Sequence, residues 1–430
     1  MNLRPEKIDD MSPERTRSIM ERSMEDISSI FEEMRLIVND IRANGDAVAL
    51  KHYKKHKEDI TAADFEVKRE EIDQAYREID PKVVDYLRIA AENVIKFHTA
   101  QLEREMWSIE VSKGILAGRV TRPMDIVGCY IPGGTAVYPS SILMTVLPAK
   151  VAGVEKVVAI TPPSKGMKAS PVTLVAADIA QCDRIFKVGG PWGVAGLAFG
   201  TETMPRVDKI VGPGNKYVTA AKMIVYGQVD IDSPAGPSES LILADESGKA
   251  DFIAWDFLSQ AEHDPDSASV FVTISQKLAD EVCDIVSREF DGLPRKEIFE
   301  SSLKKHSCVL VARDMEQAID FTNQYAAEHL QIMTSDPFIT LNRIRHAGSI
   351  FLGPYAPVPV GDYASGTNHV LPTGQCARMF SGLSVDDFIK KPTFQYLSKE
   401  GLEGLKDVVI TLAEAEGLPV HARTIRARFE

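Results

Sequence analysis

The sequence lacks the features that mark several large classes of protein. No run of eighteen or more apolar positions occurs in its 430 residues, so no membrane-spanning helix is expected. The opening stretch, MNLRPEKIDDMSPER, has no apolar h-region of the kind a secretory signal carries, and a cytoplasmic location is expected. Cysteine is sparse: Cys129, Cys182, Cys283, Cys308 and Cys376 are odd in number, widely scattered, and form no C-x-x-C pair. They support neither a disulfide framework nor a cysteine zinc site, and read as buried thiols in a reducing compartment. No Lys/Arg block exceeds three residues and the formal charge is −13, so a basic face for nucleic acid is not expected. The G-x-G-x-x-G and Walker fingerprints are missing too, so any nucleotide site must be built from scattered turns.

What is present is an ordinary folding composition, 44% hydrophobic and 26% charged, in a chain too long for one core. Residues 14–43 and 70–105 carry apolar positions at three- and four-residue spacing, which predicts helices broken at Asn44-Gly45-Asp46 and reopened at Asp80-Pro81. From about residue 108 short β-rich runs alternate with helical stretches: Ile126–Tyr130, Lys156–Ile160, Arg184–Val188, Lys209–Val211 and Ser240–Leu243. A second series follows with strands at Ser269–Thr273, Ser307–Val311 and Gly348–Leu352. That alternation marks βαβ units around parallel sheets. After residue 380 the pattern is helical to the end.

Glycine-rich turns follow several strand ends: Ile131–Thr135, Gly189-Gly190-Pro191, Gly212–Asn215 and Ala235–Glu239. Ligands of open α/β sheets bind at such ends, where glycine lets backbone N–H groups approach them. Gly236-Pro-Ser-Glu239 is not a nucleophile elbow, because Glu stands where the second Gly belongs. Gln260 and His263 are three apart and share one face of a predicted helix. With Asp362 and a distant His they make a mixed N/O donor set suited to catalytic zinc. Glu328-His329 is an adjacent acid and imidazole able to serve two proton transfers. Ala-Glu-His recurs at 261–263 and 327–329, each at the expected C-terminal end of a helix.

These stretches together resemble the histidinol dehydrogenase family. The resemblance is carried by Gly128–Gly134, Val207–Asn215, Ile231–Glu239, Leu258–His263, Ala327–Leu330 and Gly361–Thr373, in order along nearly the whole chain. It implies a homodimer that oxidises L-histidinol to L-histidine with NAD and one zinc per subunit, closing histidine biosynthesis. Carried over position by position, the zinc ligands are expected to be Gln260, His263, Asp362 and the partner subunit's His421. Glu328 and His329 are the expected acid–base pair. Ser238, Gln260, His263, His329, Asp362, Glu416 and His421 are expected around the substrate, an amino alcohol, and Tyr130 and Asn215 against NAD. The implied fold is α/β, with two incomplete Rossmann-like parallel-sheet domains, a small N-terminal helical segment and a helical C-terminal arm exchanged between subunits. On that basis the chain is expected to divide into a segment 1–25, a discontinuous α/β domain 26–128 and 245–380, an inserted NAD-associated domain 129–244, and an arm 381–430.

Three positions depart from the family pattern: Trp192 replaces a usual Gln, Trp255 a usual small residue, and Val358 a common acid. Relatives that oxidise other small alcohols, such as sulfopropanediol, vary in similar places, but Gly-Pro-Ser-Glu and Gly-Asp-Tyr are intact here. A sulfonated alcohol would want a cation, for which Arg423 and Arg426 are the terminal candidates. A non-catalytic nucleotide-binding protein on the same fold would have lost a zinc ligand or the Glu328-His329 pair, and none is lost.

Overall fold

Strands that read as unbroken apolar runs are those a parallel sheet buries on both faces, and two such sheets organise the larger part of the chain. The computed structural model describes residues 3–22, 27–55, 57, 59–133, 137–234 and 236–430, with 27 and 28 described by backbone alone. Residues 1, 2 and 23–26, together with Gly134, Thr135 and Ala235, which belong to stretches singled out above, lie outside the described residues. The chain forms two units, Met1–Gln101 with Met124–Phe388, and Leu102–Pro123 with Ile389–Glu430.

In the first unit a six-stranded, wholly parallel sheet runs in the order Pro5–Lys7, Cys308–Val311, Ala268–Thr273, Glu239–Ala244, His329–Met333, Ser349–Leu352. Alternate side chains feed two cores. Leu241, Leu243, Leu330 and Ile332 pack on the face covered by the helix Met315–Tyr325, while Ile242, Phe271 and Met333 pack against the helices Ala250–Ala261 and Gln276–Glu289. A second parallel sheet has five strands, in the order Arg184–Phe186, Lys156–Ile160, Ile126–Tyr130, Lys209–Val211, Asp230–Ile231. Helices Pro81–Thr99 and Pro139–Val151 cover one face of it; Phe31–Asn44 and Gly190–Phe199 cover the other.

The expected domain limits differ from this arrangement. The strand Glu239–Ala244, placed at the end of the inserted domain 129–244, lies in the interior of the six-stranded sheet. The helices between Phe31 and Thr99, placed with the discontinuous domain, bury Val38, Ile41, Val84 and Val94 against the five-stranded sheet. Pro5–Lys7, within a segment expected to be helical, is an edge strand. Amphipathic helices announce that they have a buried face, but not which sheet receives it.

The second unit also departs from the helical expectation. Met106–Ser112, Ile115–Val120 and Thr393–Leu397 form an antiparallel sheet, and only from Lys399 onward is the arm helical, in Lys399–Ala415 and Pro419–Arg426. Every residue of Met106–Ser112 is exposed, including Trp107, Ile109 and Val111, as are Tyr396, Val408 and Leu412. Among the described residues no helix is long and apolar enough to cross a membrane.

Candidate active site

The site grows from the start of the strand His329–Met333. Its neighbour Glu239–Ala244 runs parallel with Ser240 opposite His329, so the acid–imidazole pair sits beside the first residue of the adjacent strand. Glu239 N donates to Glu328 Oε2 at 2.8 Å, and Glu328 N donates to Glu239 Oε1 at 3.2 Å. His329 Nδ1 is 3.2 Å from the Glu239 carbonyl and 3.5 Å from Glu328 Oε2; Nε2 lies 3.8 Å from Asp362 Oδ1 and has no hydrogen-bond partner. Burial pulls the imidazole down, yet the charge and hydrogen bond of Glu328, the charge of Asp362 and the Glu239 carbonyl together lift it to about 9. His369 completes the cluster: its Nδ1 meets the Asp362 carbonyl at 2.9 Å, and burial lowers its pKa.

His329, Gln331 and Met333 share the sheet face turned toward the helix Ala250–Ala261. Gln331 Nε2 donates to Asp256 Oδ2 of that helix at 2.8 Å, and burial raises Asp256 to about 6 despite this bond. A helix joining parallel strands runs back against them, so Gln260, one turn beyond Asp256, is carried to the level of His329. Gln260 is buried, and neither its amide oxygen nor its nitrogen has a hydrogen-bond partner. A buried unpaired amide costs about 1–3 kcal/mol, so its polar end fits a position meant for a ligand.

Glu328, His329 and Asp362 are thus brought together, with Gln260 and His263 on neighbouring positions at one helix end. His263 is exposed and Ser238 half-buried. Glu416 and His421 belong to the second unit, where both are exposed. Among the described residues no three His, Cys, Asp or Glu side chains form a metal-binding group; a set containing a Gln and one donor from another chain would leave none. The second Ala-Glu-His differs from expectation: Ala326 caps its helix in a left-handed conformation, so His329 opens a strand instead of closing a helix.

At the five-stranded sheet the glycine turns are fixed from behind. Tyr130 OH accepts from Gly190 N at 3.2 Å, and Tyr53 OH accepts from Gly189 N at 2.7 Å and donates to its carbonyl. Gly212, at φ 115°, packs on the Tyr130 carbonyl, and its N–H donates to Asp232, which pairs with buried Lys222. Asn215 is exposed and caps the helix Lys216–Val225 through Val218 N. Trp192 stacks on His52 with ring centroids 3.5 Å apart. Trp255 is half-exposed, and Val358 is buried. Sequence reasoning left Glu239, Asp256 and His369 without roles. A charged residue opening an otherwise apolar strand, Glu239-Ser-Leu-Ile-Leu-Ala244, was the available signal for the first of them.

Two parallel sheets covered by helices on both faces, with an acid–imidazole pair at the start of an inner strand of one and glycine turns at the strand ends of the other, define a protein of the doubly wound α/β class. The family model for histidinol dehydrogenase matches residues 20–429. Histidinol dehydrogenase of Methanocaldococcus jannaschii is 49% identical over 424 residues, covering 99% of this chain and 98% of its own, and that of Methanothermobacter thermautotrophicus is 50% identical over 423 residues, covering 98% and 99%. The crystal structure of histidinol dehydrogenase from Elizabethkingia anophelis superposes with a TM-score of 0.94 at 35% identity, covering 100% of this chain and 98% of that one. The chain belongs to the histidinol dehydrogenase family, and it is an oxidoreductase.

Proposed function

We propose that the protein oxidises L-histidinol to L-histidine, the last step of histidine biosynthesis, using two NAD, one water and a bound zinc. The observation that carries this reading is the buried Glu328–His329 pair against Asp362, with the unpartnered amide of Gln260 on the facing helix. The balance is RCH2OH + 2 NAD+ + H2O giving RCOO− + 2 NADH + 3 H+. Zinc, when bound, supplies a Lewis acid for the developing alkoxide, and NAD accepts one hydride in each step. Gln260, His263, Asp362 and the partner subunit's His421 would hold the metal. Tyr130 and Asn215 would meet NAD.

The chain's own groups supply the proton chemistry. His329 takes the hydroxyl proton before each hydride leaves, through the Nε2 that faces Asp362. Its Nδ1, held against the Glu239 carbonyl, fixes the ring direction. A cation held by Asp362 would weaken the carboxylate field that lifts the His329 imidazole, leaving the ring free to accept a proton. Glu328 takes a proton from the water that adds to the aldehyde, whose hydrate loses the second hydride. Ser238, Glu416 and Asp362 would meet the ammonium and imidazole of the substrate.

A homodimer in which each arm completes the other site is part of this proposal. Its support is the uncovered apolar face of the second unit and the exposure of Glu416 and His421 there. Arg423 and Arg426, the cations a sulfonate would need, are paired with Glu430 and Glu414. Histidinol is therefore expected to be turned over with kcat/KM at least roughly tenfold above that for sulfopropanediol, about 1.4 kcal/mol of transition-state discrimination. One assay of NADH formation with both alcohols, zinc and purified protein decides it; a preference for the sulfonate would remove the chain from histidine biosynthesis.

The two half-reactions separate the two catalytic groups. Glu328→Gln is expected to slow oxidation of the amino-aldehyde by about 10²-fold or more while sparing alcohol oxidation, and His329→Asn to slow both. Supplying the aldehyde directly isolates the second half. Equal damage to both halves by Glu328→Gln would refute the division.

A further inference from the structure

A buried cation from a segment far away in sequence meets the Glu239 carboxylate, which is itself bonded to Glu328. Arg22 ends the helix Pro13–Glu21 at φ 53°, a backbone conformation that side chains with a Cβ rarely adopt. Such strain persists where the surroundings fix it, and here they do. The Arg22 side chain is 1% exposed; its guanidinium carbon lies 3.5 Å from the centre of the Tyr325 ring, and Nη2 donates to the Tyr325 carbonyl. Its Nε sits 2.9 Å from Glu239 Oε2, as an ion contact and not an aligned hydrogen bond.

Glu239 in turn touches both members of the catalytic pair. Its carboxylate accepts from Glu328 N, its own N–H donates to the Glu328 carboxylate, and its carbonyl meets the His329 ring. Two buried carboxylates in one site resist ionising together, and without a cation one of them takes up a proton. We propose that Arg22 and Glu239 are positioning residues, which hold Glu328 aimed so that it can activate water in the second oxidation. This rests on the role given to Glu328 above.

The titratable and charged groups facing the two carboxylates are Arg22, Tyr325, His329 and Cys376, with Asp362 and His369 at longer range. Burial raises Glu239 to about 7; Arg22 opposes the rise and Glu328 adds to it. Losing Arg22 therefore moves the Glu239 titration further up, and a Glu239 that carries a proton at neutral pH holds the Glu328 N–H less strongly than the carboxylate does. The stacked, anchored guanidinium also ties the N-terminal helix to the active strand, so a purely structural role must be separated from this one.

Arg22→Gln is expected to lower aldehyde oxidation at pH 7 by roughly tenfold or more, to move the acid limb of that half-reaction up by about one pH unit or more, and to change alcohol oxidation by less than about threefold. Arg22→Lys keeps the charge while losing the planar stack, so the acid limb should return close to that of the unsubstituted protein even where thermal stability falls. Infrared difference titration of the ligand-free protein needs no turnover. It should show a buried carboxyl band persisting about one pH unit higher in Arg22→Gln than in the unsubstituted protein. An unmoved band, or equal loss in both half-reactions with an unmoved limb, overturns the proposal. If the unsubstituted protein oxidises neither histidinol nor its aldehyde, the reading of the activity fails, and the infrared titration alone then decides whether Arg22 holds Glu239 ionised.

Discussion

Chelation of bound metal is expected to lower NADH formation from histidinol by at least about 10²-fold, and added zinc to restore it, since Lewis-acid stabilisation of an alkoxide is worth several kcal/mol. The donor types argue for this. Gln260, His263 and Asp362 offer oxygen and imidazole nitrogen with no thiolate, the pattern of a catalytic centre that leaves a position open to substrate. The Gln260 amide is buried with both polar atoms unpaired, a cost that a ligand would offset. Gln260→Ala should accordingly reduce the metal retained per subunit, read by elemental analysis of the dialysed protein independently of turnover. Full activity in protein shown to be metal-free would remove zinc from the reaction.

Two inactive variants are expected to complement each other. Asp362→Ala removes a donor from the first unit and His421→Ala one from the second. In a re-associated equimolar mixture about half of the dimers are mixed if pairing is random, and each mixed dimer has one site carrying neither substitution, so activity should recover to about a quarter of the unsubstituted level in a two-fold symmetric assembly. Either variant alone should stay near background. Dimers proven to be mixed that remain inactive would mean that each chain completes its own site.

The candidate site was largely legible as residue types and poorly legible as a place. Glu328 and His329 are adjacent in sequence, and the structure keeps them together, with both side chains buried. Gln260 and His263 were placed on one helix by their spacing, and that helix, Ala250–Ala261, ends between them. Glu239 was visible only as the last letter of a glycine turn. Its bonds to Glu328 and His329 come from strand pairing across about ninety residues, which local periodicity does not encode. Arg22 gave no signal at all, because a cation in a polar helix reads as solvated until the fold encloses it.

By itself the sequence determined the fold class and most strands of both parallel sheets with lengths right to a few residues, though not Pro5–Lys7, Asp230–Ile231 or His329–Met333. These follow from local quantities: apolar runs, helical spacing and glycine at tight turns. Only the tertiary structure decided that Glu239–Ala244 joins the six-stranded sheet, that the helices between Phe31 and Thr99 cover the other one, and that the end of the chain contributes the strand Thr393–Leu397 to an antiparallel sheet. It also decided which charges meet in the dark of the core, Arg22 against Glu239 and His329 between Glu328 and Asp362. The physical reason is that burial and charge pairing are set by elements distant in sequence, and a residue's own neighbours along the chain carry no record of them.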